Sequence, residues 1–188
     1  MITNDRQYRS FDFDKSEMRV TGVPVIFNSE TVLWRDGETE YKEIISSSAL
    51  DETDMSDVVL NIDHNGKPAA KTKNGTLALR IEADGLHMEA DLSKNATGRE
   101  LNEDIENGFY DKMSFAFTVE KDSYNTKTHT RTIEKIGKLF DVSCVTFPAY
   151  QQTTVSARSF FEAEAEKEAR ELVERERKQK LIKIRSQA

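Results

Sequence analysis

Only 1 cysteine, 3 prolines, 8 glycines and 1 tryptophan occur in 188 residues, and each scarcity removes an architecture. The single thiol, Cys144, has no partner for an internal disulfide, and one Cys with 3 His cannot assemble a Cys-His zinc site. A disulfide-stapled secreted module is thereby excluded, and the free thiol suits a reducing compartment. A chain of this size buries enough apolar surface to fold without such staples. No apolar run approaches the roughly 20 residues that a spanning helix needs, and residues 1–15 are polar and of mixed charge, unlike a secretion signal. The chain reads as soluble and intracellular, with no membrane partner. Phosphate-loop, dinucleotide, CxxC, HExxH and Gly-x-Ser-x-Gly signatures are all missing, so no cofactor and no metal are expected, and an α/β-hydrolase elbow is disfavoured. Basic residues are outnumbered 27 to 34, and a net charge of -7 argues against direct nucleic-acid binding. Residues 159–188 hold 8 basic and 7 acidic side chains, so the acidity belongs to the front of the chain.

What is present is a succession of short strands. Residues 20–27 form the first, with Pro24 demanding an edge or a bulge. A second strand over 41–45 leads to Ser46, Ser47 and Ser48, which cap a short turn through Ala49 and Leu50. A third, over 58–62, ends at Asp63-His64-Asn65-Gly66. Asn74-Gly75 and Asp84-Gly85 punctuate a hairpin of 76–81 with 86–91. One helix is predicted over 98–107, capped by Asn95 or Thr97, with Leu101 and Ile105 one turn apart and Gly108 as its stop. The strand over 113–119 alternates Met113, Phe115, Phe117 and Val119 against Ser114, Ala116 and Thr118. A polar loop over 121–130 then leads to strands over 131–136 and 139–147, closed by Pro148. From Ser159 the pattern becomes a charged helix with a thin apolar stripe of Ala165, Ala169, Leu172, Leu181 and Ile184, too broken for a coiled coil.

The residues that could carry chemistry are dispersed. His64 stands at a strand end, Ser114 within a strand of small and aromatic residues, and Glu134 and Asp141 on or near the last strands. A serine hydroxyl is a poor nucleophile at neutral pH and needs a neutral imidazole to take its proton, while a third group fixes the imidazole tautomer. Taken by type alone, Ser114 reads first as a small residue beside a neighbouring strand and His64 as a loop histidine beside Gly66. Cys144 reads as a buried structural thiol, His87 as a partly exposed sheet residue, and His129 as solvated.

Local strings add to this. Gly22-Val23-Pro24-Val25-Ile26-Phe27-Asn28, Leu60-Asn61-Ile62-Asp63-His64, Lys73-Asn74-Gly75-Thr76-Leu77, Asp84-Gly85-Leu86, Asn107-Gly108 and Lys112-Met113-Ser114-Phe115-Ala116-Phe117 occur in order. Leu139-Phe140-Asp141-Val142-Ser143 and Val145-Thr146-Phe147-Pro148-Ala149-Tyr150 follow. Over residues 18–158 this succession resembles the prohead serine proteases of tailed phages, which mature HK97-like capsids. The resemblance implies a mainly β (α+β) fold, a closed or nearly closed β-barrel of the herpesvirus-assemblin type with a packed helix. Phe115, Phe117, Phe140 and Phe147 would lie in the barrel core. It divides the chain into an N-terminal arm (1–17), a protease domain (18–158) and a charged helical tail (159–188).

The implied activity is serine endopeptidase action on the major capsid protein and its scaffolding segment, and on the protease itself, inside the prohead in the host cytoplasm. Carried over by position, His64 is the general base and Ser114 the nucleophile. Asp141 is the third member, in the place where relatives usually have Glu, with Glu134 second and His129 third. Similarity to assemblin also implies self-association as a dimer, and cutting extended segments implies an open, shallow site. The rival reading is a non-proteolytic capsid-assembly scaffold or adaptor on the same fold.

Overall fold

The computed structural model describes residues 11–14, 18–146 and 154–186. Ten strands and two α-helices follow the order β1 (Phe11–Asp14), β2 (Arg19–Ile26), β3 (Thr31–Asp36), β4 (Thr39–Ile45), β5 (Val59–Ile62), β6 (Asn65–Lys71), β7 (Leu77–Ile81), β8 (Gly85–Asp91), α1 (Ala96–Glu106), β9 (Lys112–Asn125), β10 (Thr130–Val145) and α2 (Thr154–Ser186). They build a four-stranded antiparallel sheet, β1-β2-β8-β7, and a six-stranded mixed sheet, β3-β4-β10-β5-β6 with β9 on β10. The predicted barrel is therefore not what forms. Closure requires every strand to have two partners, whereas among the described residues β1, β7, β3, β6 and β9 each pair on one side only, leaving both sheets open. The architecture is mixed α/β, mostly strands, with two helices.

The two sheets share one core. Val20, Val25, Leu86, Met88 and Ala90 from the first meet Ile45, Leu60, Ile133, Ile136, Leu139 and Val142 from the second, and Leu101 and Ile105 of α1 join them. Pro24 coincides with a break in the β2–β8 register between Gly22 and Val25, the bulge that a residue without an N–H imposes. Helix α1 starts where the Asn95 carboxamide oxygen accepts the Gly98 N–H at 2.6 Å and ends at Gly108, whose φ of +78° is the left-handed stop. A Cβ at Gly98 would collide with the Leu92 carbonyl, so that position admits only glycine without a backbone shift.

β9 and β10 differ most from the sequence pattern. Residues 121–125 continue the strand instead of opening a loop, and the two strands predicted over 131–136 and 139–147 are one, Thr130–Val145. Register shifts between Ile133 and Asp141 let this long strand bend. Its first quarter, Thr130–Ile133, pairs in parallel with β4, and Asp141–Cys144 near its end pairs in parallel with β5. Phe115 is buried, but Phe140 is 44% exposed at the final register shift, not a core residue, and Phe147 lies outside the described residues.

Helix α2 is anchored by its first turns. Phe161 is fully buried and tilts against Tyr41 at 5.4 Å, while Phe160 stacks edge-on to Tyr124 and lies 4.3 Å under the Arg131 guanidinium. His129, expected to be solvated, belongs to this patch: its Nδ1 is 3.2 Å from the Tyr124 hydroxyl, and its ring is 5.1 Å from Tyr41. The 158/159 boundary falls inside α2, and from Ala169 to Lys180 the helix is exposed throughout. None of the described helices is long and apolar enough to cross a membrane.

Candidate active site

β10 organises the site because its end has a partner on each side. Ser143 pairs with Ser114 of β9 and with Asn61 of β5, while Asp141 pairs with Ala116 and Val59. Paired residues share a face and alternate residues along a strand return to it, so Asn61, Asp141, Ser143 and Ser114 lie side by side on one face. The neighbours Cys144 and Met113 point the other way.

His64 reaches this face from a tight turn. Ile62 pairs with Asn65, leaving Asp63 and His64 as a two-residue hairpin loop, and both have positive φ, 46° and 57°. Two successive left-handed residues are what a type I′ turn requires, and Asp, Asn and His tolerate that region better than most side chains. The turn folds the imidazole back along β5. Nδ1 of His64 then lies 2.7 Å from Oδ1 of Asp141, and both side chains are largely buried. A carboxylate can only accept, so Nδ1 carries the proton in this contact, and the tautomer it selects has its basic lone pair on Nε2. The Ser143 hydroxyl donates to the same Oδ1 at 2.8 Å. Two donors on one oxygen fix the short Asp141 side chain.

Ser114 stands on the same face but is not joined to His64. Its side chain is fully buried, and its Oγ has no hydrogen-bond partner among the described residues. The expected open, shallow site is therefore not found at Ser114: the start of β9 is buried on both faces, from Met113 to Phe115. Asn61 too has a buried carboxamide oxygen with no hydrogen-bond partner among the described residues.

The other sequence candidates lie elsewhere. Glu134 bonds Lys121 at 2.6 Å, and that contact holds its carboxyl below the ordinary carboxylate range. His129 faces α2, 3.9 Å from Glu168. Burial, with the Asp63 charge second, pushes the Cys144 thiol up to about 12, so it stays protonated and inert. Among the described residues, Glu82, Asp84 and His87 bring three metal-competent atoms within 4.8 Å. Glu82 and Asp84 are exposed in the β7–β8 turn and His87 stands half-buried on β8, its Nε2 already 2.8 Å from Asp84.

Sequence reasoning passed over Ser143 and Asp63. For Ser143 the signal was its spacing, two residues after Asp141 in a strand and hence on the same face. Asp63 carries no such signal, because its partner, Thr146, is 83 residues away. Comparison with known proteins gives one finding: the model of the family described as "Caudovirus prohead serine protease" matches residues 5–168. No curated protein and no solved structure matches the chain.

Proposed function

Given that the chain belongs to the caudovirus prohead serine protease family, and so to the serine proteases of capsid maturation, we propose that Ser114, His64 and Asp141 are its catalytic triad. Its substrates on this reading are the major capsid protein, the attached scaffolding segment and the protease chain itself, met inside the prohead. The observation that carries the assignment is the 2.7 Å contact between His64 Nδ1 and Asp141, made on the sheet face that also bears Ser114.

The roles follow from the proton positions. Nε2 of His64 takes the Ser114 hydroxyl proton as Oγ attacks the scissile carbonyl, then returns it to the leaving amine, and water repeats the sequence on the acyl-enzyme. Asp141 holds the tautomer with Nδ1 protonated and stabilises the imidazolium that forms. Aspartate fills this role despite being one methylene shorter than the usual glutamate, because the tight turn brings His64 back over β5 to meet it. The missing Ser114–His64 bond fits a substrate-free state, in which catalytic hydrogen bonds tighten only as substrate binds. Since Ser114 is covered in this state, access for a polypeptide depends on its surroundings opening.

Diisopropyl fluorophosphate tests the assignment without a known cleavage sequence. Oγ of the nucleophile bonds phosphorus, fluoride leaves, and the proton passes to the base. Labelling should map to Ser114, vanish in Ser114→Ala and fall at least about 10³-fold in His64→Ala, the scale on which triad members act. Undiminished labelling of Ser114→Ala would remove the proposal, and an unlabelled wild type would favour the non-proteolytic assembly protein.

A further inference from the structure

We infer that Asp63 is a positioning residue: its carboxylate clasps the end of β10 and so holds the turn carrying His64 in line with Asp141. The inference rests on the triad reading above. The Thr146 backbone N–H donates to Asp63 Oδ1 at 2.9 Å, and the Thr146 hydroxyl donates to Oδ2 at 3.1 Å. The Asp63 N–H in turn donates to the Cys144 carbonyl at 2.9 Å. Asp63 is thus tied by backbone and side chain to the two residues flanking Val145.

The turn needs such a tie. The last β5–β10 ladder pair is Ile62 with Cys144, so the parallel ladder itself does not reach 63 and 64. Asp141 lies three residues before Cys144, roughly 10 Å back along β10, and His64 has to turn back to meet it. A small rotation at the turn is therefore magnified at the ring. Both turn residues also hold positive φ, a conformation that persists only where the surroundings over-determine it. Asp63 has been adjacent to the histidine in sequence all along, yet its service is to a strand end far down the chain.

A bland alternative exists, in which Asp63 is merely a residue that tolerates the left-handed region. Two substitutions separate the readings. Asp63→Gly accepts positive φ without cost but has no side chain to reach Thr146, whereas Asp63→Asn keeps the conformational tolerance, an acceptor for the N–H and a donor for the hydroxyl. The measurements are the rate constant (kinact) and binding constant (KI) for diisopropyl fluorophosphate, together with the downfield proton resonance of the His64 Nδ1–H.

In Asp63→Gly, kinact should fall about 10- to 100-fold, the cost of a misplacement near 1 Å, with KI within about twofold and the resonance lost. Asp63→Asn should keep kinact within about 1.5-fold and retain the resonance. Thr146→Val, an exposed substitution that takes the hydroxyl from Asp63 and Tyr110 but leaves the N–H bond to Asp63, should lower kinact about threefold and covers the case that Asp63→Gly does not fold. A wild-type kinact and an intact resonance in Asp63→Gly, or in Thr146→Val should the glycine variant not fold, would overturn the clasp. Equal losses in the Gly and Asn variants would do the same. Labelling that persists in Ser114→Ala defeats the triad reading instead, so the two failures are distinguishable.

Discussion

Replacing Ser143 with alanine removes one atom of consequence. The residue is fully buried, its hydroxyl donates to Asp141 Oδ1 at 2.8 Å, and it stands opposite Ser114 in the ladder. Alanine keeps the strand and the Cβ, so the change reports the bond and little else. A hydrogen bond to a carboxylate is worth about 1.5–3 kcal/mol, and Asp141 would then face the buried site with His64 as its one remaining side-chain donor among the described residues. For a chain of this length that loss lowers Tm by roughly 3–12 °C. The catalytic effect should be separable. With Asp141 free to rotate, kinact toward diisopropyl fluorophosphate should drop about tenfold while KI holds. Urea unfolding of Ser143→Ala, Asp141→Asn and the double variant supplies the test. A coupling of at least about 1 kcal/mol is expected for residues in direct contact. Additive losses, or a Ser143→Ala protein with unchanged stability and labelling, would refute the claim that Ser143 orders the triad acid.

Phe161→Ala should cost about 3–5 kcal/mol, because a fully buried phenylalanine is removed from its packing against Tyr41. In a thermal melt that is a fall of roughly 6–20 °C. Truncation after Arg170 should therefore leave Tm within about 2 °C, whereas truncation after Arg158, which discards Phe160 and Phe161, should not. If the tail docks the enzyme inside shells, the Arg170 truncation keeps its labelling rate but is packaged poorly; normal packaging would deny the tail that role. Asp91 tests the acid limb of stability. The Ser93 hydroxyl at 2.6 Å and the Ser93 N–H at 3.0 Å, then Lys94, hold its carboxyl down at about 2. The fold thus favours the ionised form, so this stabilisation is present above the unfolded value near 4 and is lost as pH falls from about 4 to about 2. The Tm gap between wild type and Asp91→Ala should close across that window, and a gap constant from pH 7 to pH 2 would contradict the assignment.

Local signals made several elements legible. Asn95, Leu101, Ile105 and Gly108 bracket α1 because a cap, an i,i+4 apolar pair and a left-handed stop are all short-range features. Alternation over 113–119 located the strand bearing Ser114, and Pro24 announced its bulge. β6, Asn65–Lys71, contains a glycine and a proline and owes its strand form to pairing with β5. Residues 121–125 are polar, and their extension depends on the partner strand that begins at Thr130. Sheet closure depends on which edges meet, and no single strand's pattern records that. The candidate site divides in the same way. His64, Ser114 and Asp141 stood out through ordered strings, but the bonds from Ser143 and Thr146 exist only once β10 lies beside β9 and β5.

Intact-mass spectrometry of the major capsid protein tests the central claim most directly, with that protein co-expressed beside either the wild-type chain or Ser114→Ala. Loss of a terminal segment with wild type alone is the predicted result, and it would identify the substrate and the scissile bond together. Capsid protein trimmed equally in both samples, or full-length in both while shells still enclose this chain, would contradict proteolysis through Ser114.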